Sequence, residues 1–267
     1  MIIWIASYPK SGNTYLRSFL ASYYFSDDGI FDFDQLINIH QFPNIKLSKF
    51  KPESKEEASR NWIFNQNTFF NINHLNLVKT HNCLLPFEGN KFTTKKETLG
   101  AIYIVRDPRN VITSMTHHYS LNYEKALQYM IDEKSSLLEK SYEQDHSNFT
   151  FLNSWSNHYR SWKNNLDFKT LFIKYEDIAK DKEEMFKKII LFVNSLSNKT
   201  CKIDEKKFHN SIKSTNFSSL KNKELNEGFE ESVFSSKTGK KINFFNLGFN
   251  NRWQKILPIK IKNKINK

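Results

Sequence analysis

Three basic residues stand where chemistry is easiest to imagine: Lys10, His81 and Arg106 each follow a run of apolar residues. Lys10 lies in "YPKSGNTY" (8–15), beside Ser11, Gly12, Asn13 and Thr14. Pro9 ends a strand ladder, because proline has no amide hydrogen to donate. Gly12 permits a turn that side chains with a Cβ resist. A helix starting at Asn13 or Thr14 leaves its first amide groups without partners and its positive end open. Such a turn gathers an anion, most often a phosphate. Lys10 adds a point charge, and Ser11 and Thr14 add hydroxyl donors. A nucleoside-triphosphatase loop reads G-x-x-x-x-G-K-[ST], with Lys after Gly and a hydroxyl on magnesium. Here Lys10 precedes Gly12. That order argues against ATP or GTP hydrolysis and leaves phosphate binding intact.

The second site is "IYIVRDPRNVITSMTHHYS" (102–120). Arg106 closes a strand, Asp107 and Pro108 make the turn, and Ser114 lies two turns into the following helix. Arg106 and Ser114 can reach one anion from two elements, and the planar guanidinium suits phosphate. A structural Arg–Asp pair in the loop is the plainer alternative. The third is "LVKTHNCLLP" (77–86), where His81 closes another strand on the same sheet edge. His40, His74, His117, His118, His146, His158 and His209 have no comparable placement.

The elements that must carry these residues alternate. Apolar runs at 2–7, 75–81, 100–107 and 169–177 read as strands. Tyr15, Leu16, Phe19, Leu20, Tyr23 and Tyr24 recur at helical spacing, as do Met185, Phe186, Ile189, Ile190, Val193 and Leu196 after an N-cap at Asp181. Unalternated strands between helices imply an α/β fold: a parallel β-sheet flanked by helices on both faces, with ligands beyond the carboxyl ends of the strands. Residues 118–150 read as polar helices broken around Ser135 and Asp145, either a helical lid on the acceptor side or a surface helix pair. Residues 151–165 read as an aromatic, core-facing helix and 220–252 as loop. No linker divides the chain, so 1–267 is expected to be one domain.

Composition narrows the classes. The 267 residues carry a formal charge of +12 and only two cysteines, Cys83 and Cys201. No disulfide framework or metal-ligand spacing is present, a reducing, cytoplasmic setting is the default, and Cys83 reads as packing. No run of about 18 apolar residues marks a membrane span, and the N-terminus lacks the features of a secretory signal. The charge fits an anionic partner or simply lysine spread over the surface.

The three motifs together resemble those of the PAPS-dependent sulfotransferases, PAPS being 3′-phosphoadenosine 5′-phosphosulfate. "YPKSGNT" is similar to the family's phosphosulfate loop, and "WIASYPKSGNT" looks most like bacterial members acting on small molecules or carbohydrates. The resemblance implies a fold like that of the P-loop NTPases. It places Lys10, Ser11, Gly12, Asn13 and Thr14 around the 5′-phosphosulfate, with Lys10 on the bridging oxygen, and Tyr15 where the family stacks Trp on adenine. Arg106 and Ser114 match its 3′-phosphate site, and Ser114 would hold the Lys10 side chain when no acceptor is present. His81 matches the base of its K-T-H segment. Tyr175 in "FIKYEDIAKD" and Phe217 in "STNFSSLKN" match residues near adenine. The family's R-K-G-x-x-G-D-W becomes "NLGFNNRW" (246–253): Gly248 and Trp253 remain, but Asn246 and Leu247 replace the basic pair. The resemblance then implies a 3′-phosphate clamp that is either weaker or rebuilt, with Lys240, Lys241 or Arg252 as the candidates to compensate electrostatically.

The implied activity is transfer of a sulfuryl group from PAPS to a hydroxyl or amine of a small-molecule or glycan acceptor, without metal, membrane span or nucleic acid. The acceptor pocket is expected from 118–150 and 31–70, with Tyr119, Tyr123 and Trp155 lining it or packing in the core. A small-molecule P-loop kinase and a non-catalytic anion- or nucleic-acid-binding protein are the alternatives.

Overall fold

The computed structural model describes residues 1–70, 74–138, 144–197, 202–235 and 238–265. Its centre is a four-stranded sheet in the order β2-β1-β3-β6, made of β1 (Ile2–Ala6), β2 (Asn76–Thr80), β3 (Thr98–Val105) and β6 (Thr170–Lys174). All three pairings are parallel, with Trp4 opposite Val78 on one side and Ala101 on the other.

The strands are apolar on both sides because both faces are covered. Ile3, Ile5, Ile102, Ile104 and Ile173 point into one core, against α1 (Asn13–Phe25) and α8 (Lys182–Leu196) through Leu16, Phe19, Phe186 and Ile190. Ile2, Trp4, Ala101 and Tyr103 point into the other, against α3 (Trp62–Phe69) and α6 (Trp155–Lys163) through Trp62 and Trp162. The alternation of side chains along each strand sorts neighbours to opposite faces. Burial of both faces accounts for the continuous hydrophobic runs.

Helix α1 covers one face after β1, and α6 covers the opposite face before β6. The connections therefore leave β1 and β3 to opposite sides, and a crevice opens between their carboxyl ends. Lys10 follows β1 and Arg106 follows β3.

Helix caps fall where the sequence marks them. Asp181 accepts from the Glu184 amide at the start of α8, and Asp107 accepts from the Arg109 amide at the start of α4 (Pro108–His118).

Three expectations change. Among its described residues the segment 118–150 is helical only at the end of α4 and in α5 (Tyr123–Ile131); beyond it β4 (Ser136–Leu137) pairs with β5 (Thr150–Phe151) as a short antiparallel ladder. Ala126, Leu127 and Met130 pack α5 against Val111, Ile112 and Met115 of α4, so this segment has its own core. Residues 139–143 lie outside the described residues. The segment 220–252 is not simply loop. It begins in α10 (Phe217–Glu227), which Asn216 caps through the Ser219 amide, and contains a ladder between Val233–Phe234 and Lys241–Ile242. The fourth strand ends at Lys174, and Tyr175 opens α7 (Tyr175–Lys180). Polar residues that cap helices and close hairpins read as loop when only hydrophobic periodicity is followed. Cys83 is buried, as its packing role requires, and Cys201 lies outside the described residues.

Candidate active site

At the crevice lies a cleft of about 280 Å³. Lys10, Gly12, Asn13, Thr14, Tyr15, Lys79, His81, Arg106, Ser114, Tyr175, Phe217 and Gly248 line it. All but Lys79 are residues the motifs single out; Ser11, the remaining one, is buried in the loop beside them. No described group of three or more His, Cys, Asp or Glu side chains is arranged to hold a metal ion.

The loop after β1 is built around backbone that only some residues tolerate. Lys10 has φ of 64° and Gly12 has φ of 99°. A Cβ on Gly12 would lie 2.3 Å from the Tyr175 ring. Gly12→Ala is expected to lose about 1–3 kcal/mol of stability from left-handed backbone strain, with the ring contact adding to it. Denaturant unfolding checks this, and an unchanged midpoint would reject the tight fit.

Asn13 donates to the Ile5 carbonyl at 2.9 Å and to Ser7 Oγ at 3.1 Å, tying the loop to β1. Lys10 Nζ, Ser11 Oγ, Asn13 Oδ1 and Arg106 Nε are buried without a hydrogen-bond partner in the protein. Buried polar atoms ordinarily have partners. Four orphans around one cleft, most of them donors, fit an anionic group carrying several oxygens.

Arg106 joins the two loops. Its terminal nitrogens donate to the Lys10 carbonyl at 3.0 Å and the Gly248 carbonyl at 3.2 Å, and its guanidinium lies 4.4 Å above the Tyr175 ring. Asp107 takes Arg109 instead, in a two-point pair at 2.8 and 2.7 Å. The structural Arg–Asp pair is therefore Arg109, and Arg106 is left facing the cleft.

Phe217 lines the cleft beside Gly248, on which a Cβ would lie 2.5 Å from its ring. The pocket around Tyr15, Tyr175 and Phe217 holds a residue the motifs did not select. Phe249 stacks on Tyr175 at 4.8 Å and meets Tyr15 edge-on at 5.5 Å. Lys240, Lys241 and Arg252 are exposed and line no part of the cleft, so they do not stand in for the missing basic pair.

His81 is held at one end. Its Nδ1 lies 2.7 Å from the Ser7 carbonyl. A carbonyl only accepts, so Nδ1 carries the proton and Nε2 keeps its lone pair. Burial, helped by the nearby Lys79 charge, lowers the imidazole to about 3, against the pull of that hydrogen bond. His81 is neutral at neutral pH. Its own carbonyl lies 2.9 Å from Nε2 of the fully buried His158, whose Nδ1 meets the Tyr103 hydroxyl at 2.8 Å. His158 thus fixes the His81 backbone, and its place on an otherwise apolar helix face was the available hint.

Lys10 is the other electrostatic centre. Burial lowers its ammonium to about 7, with Lys79 and Arg106 adding to that and Glu231 opposing it. Nζ lies 3.7 Å from the centre of the Phe244 ring and has no hydrogen-bond partner. The expected tether from Ser114 to Lys10 is therefore not made; the ring of Phe244 holds the ammonium instead. Ser114 remains in the lining, with His117, His118 and Tyr119.

Of the expected acceptor-side aromatics, Tyr119 lines the cleft, while Tyr123 and Trp155 pack beside Met115 and Leu127. From 31–70 the cleft receives Gln41. Sequence reasoning missed Glu231, Arg17 and Glu224. Glu231 accepts from Thr14 Oγ1 at 2.7 Å, Arg17 at 2.7 Å and Lys79 at 3.0 Å. Buried Glu224 accepts from the Phe244 amide at 2.6 Å and the Phe245 amide at 2.9 Å, anchoring the segment above the cleft. A basic residue on the buried face of α1 marked Arg17; nothing local marked the two glutamates.

The model of the sulfotransferase domain matches residues 2–267. Sulfotransferase 4A1 of Mus musculus, Rattus norvegicus and Homo sapiens is 24% identical over 204 residues, 72% of this chain. The chain spans 59% of the length of those relatives. Mouse sulfotransferase SULT7A1, solved in complex with PAP, shares the fold with a TM-score of 0.58 at 20% identity, covering 99% of this chain and 82% of that one. Retinol dehydratase in complex with androsterone and inactive cofactor PAP gives 0.60 at 17% identity, covering 99% and 78%.

Proposed function

From the premise that the chain belongs to the sulfotransferase domain family, we propose that it moves a sulfuryl group from PAPS to an acceptor hydroxyl or amine, releasing PAP. The observation that carries this reading is the set of orphaned polar atoms at the crevice, with Lys10 and Arg106 on adjacent loops. The order of strands supports a division of roles. Arg106, Tyr175 and Phe217 lie toward β3 and β6, as a 3′-phosphate and adenine require. Lys10 is central. Lys79 and His81 lie at β2, where the acceptor would enter.

When bound, PAPS supplies the activated sulfuryl group. His81 Nε2 takes the proton from the acceptor as general base. Lys10 and Ser11 stabilise charge on the leaving phosphate, as fixed donors whose Nζ and Oγ atoms are buried. Thr14 and the first amides of α1 orient the 5′-phosphate. Ser7 holds the His81 tautomer, so Nε2 stays free to accept. Positioning and electrostatics do most of the work, as in phosphoryl transfer. The loop sequence supports assignment to the bacterial small-molecule or carbohydrate type, and the two-cysteine composition keeps the cytoplasm as the expected compartment.

Calorimetric titration with PAP at moderate salt tests the reading. Saturable binding is expected. Absence of heat at millimolar PAP would reject the reading, and binding of ATP with magnesium but not of PAP would favour the kinase alternative. Salt-sensitive RNA or heparin binding without PAP binding would favour the non-catalytic one.

A further inference from the structure

His118 ends α4 and lines the cleft. It is 8% exposed, and its Nδ1 is buried without a hydrogen-bond partner in the protein. Buried polar atoms ordinarily have partners, and leaving one unpaired costs stability. The histidines around it differ. His81 Nδ1 meets the Ser7 carbonyl, and both ring nitrogens of His158 are engaged. His117, the neighbour in sequence, is exposed, with Nε2 3.3 Å from the Asn243 carbonyl. Among the described residues, His118 is the cleft imidazole with a buried nitrogen that nothing in the protein satisfies.

Two observations put this ring beside the reacting groups. The Phe244 ring lies 3.7 Å from Lys10 Nζ and meets the His118 ring edge-on at 5.5 Å, so one phenyl group covers both. The charges of Lys79 and Glu231 act on His118 and on His81, which places the two imidazoles at the same end of the cleft. The polar tie on Phe244 is at its backbone amide, to Glu224, so its ring can rotate aside without breaking it. Burial, with the Lys10 charge adding to it, lowers the His118 imidazole to about 3. The ring is therefore neutral at neutral pH, with one nitrogen donating and the other accepting. A hydroxyl satisfies Nδ1 in either tautomer, because it both donates and accepts. Tyr119 and Leu137, also in the lining, offer apolar surface to a carbon skeleton.

We propose that His118 binds the acceptor, through a hydrogen bond between its Nδ1 and a second hydroxyl adjacent to the one that His81 deprotonates, so that the site selects diols and sugars over mono-alcohols. The inference rests on the sulfotransferase reading for the presence of an acceptor, and it gives a role to a histidine that the sequence does not single out. Selection follows from the unpaired nitrogen. A site built to hydrogen-bond a substrate hydroxyl rejects the analogue that lacks it, because its own buried group is then left without a partner.

The test titrates the full chain, saturated with PAP, with probes that differ by one hydroxyl: cyclohexanol against cis- and trans-1,2-cyclohexanediol, and phenol against catechol. The better diol of a set is expected to bind on the order of tenfold tighter than its mono-alcohol, the scale of one hydrogen bond to an otherwise unpaired buried group. His118→Phe keeps an aromatic ring and removes its nitrogens, so the preference should fall to within about twofold. His118→Asn keeps a hydrogen-bonding atom near the place of Nδ1 and should retain part of it. With PAPS in place of PAP, the same order is expected in kcat/KM. A ring that only packs against Tyr119 and Phe244 would leave the diol preference intact in His118→Phe, and that result overturns the proposal. Absence of a diol preference in the unaltered protein overturns it as well, including the case in which no probe binds. If His118→Phe does not fold, His118→Leu takes its place with the same expected loss. Failure of PAP to bind would strike the sulfotransferase reading, whereas the diol comparison on the nucleotide-free protein would still decide the role of His118.

Discussion

Replacing His81 by Ala should lower turnover by about 10²–10⁴-fold and leave PAP affinity within a factor of about two. The asymmetry follows from geometry. His81 lies at the β2 end of the cleft, whereas the groups assigned to the nucleotide lie on the loops after β1 and β3. Its loss removes a proton acceptor without opening the nucleotide cradle. The pH dependence gives a sharper check. Burial and the Lys79 charge lower the imidazole to about 3 in the free protein. The group is thus neutral, and competent as a base, at every pH well above 3. The acid limb of kcat/KM, which reports the free enzyme, should lie far below the ordinary imidazole value of about 6.5. Bound donor brings several negative charges close by, and these favour the imidazolium. The acid limb of kcat should therefore lie at higher pH than that of kcat/KM. Single-turnover sulfation with an accepted substrate measures the first effect and steady-state pH profiles the second. Normal turnover by the alanine variant would remove His81 from the chemistry.

What the sequence made legible, and what it did not, divides along the range of the interactions. The β1–Lys10–α1 unit could be read because strand, turn and helix are contiguous, and each residue type there has a local reason: Pro9 to stop the ladder, Gly12 to turn, Asn13 and Thr14 to open the helix. Arg106 and His81 could be placed on the same edge because parallel strands bring successive carboxyl ends together. The roles of Glu231, Phe244 and Phe249 could not. They meet the loop across more than two hundred residues of chain, in a segment whose Asn, Ser and Lys content resembles that of any loop. Ser114 shows the limit of motif transfer. It lines the cleft at the matching position, yet Phe244, not Ser114, engages the lysine. The ladder between Val233–Phe234 and Lys241–Ile242 leaves no signal in the sequence because each strand is two residues long, too short for alternation to register.

Lys10→Ala should depress both turnover and nucleotide affinity, turnover by roughly 10²–10³-fold, the scale for removing one donor aimed at developing charge. The ammonium sits at the crevice between β1 and β3, buried and without a hydrogen-bond partner, over the face of Phe244. A lone ammonium in so dry a place is poorly stabilised, and burial brings it down to about 7. The sign of the resulting pH effect is fixed. An anionic nucleotide binds the protonated lysine better than the neutral one. Affinity for PAP is therefore full below about pH 7 and declines as pH rises through that value, by at most tenfold per pH unit for a single proton. Binding above pH 7 should take up a proton, because the anion raises the lysine's affinity for it. Calorimetry in buffers of different ionisation enthalpy measures this uptake directly. Lys10→Arg separates charge from titration. The guanidinium stays protonated throughout, so this variant should lose the pH dependence near 7 while keeping part of the affinity that Lys10→Ala loses. Equal pH dependence in all three proteins would mean that another group titrates, and Lys10 would then no longer account for recognition of the anion.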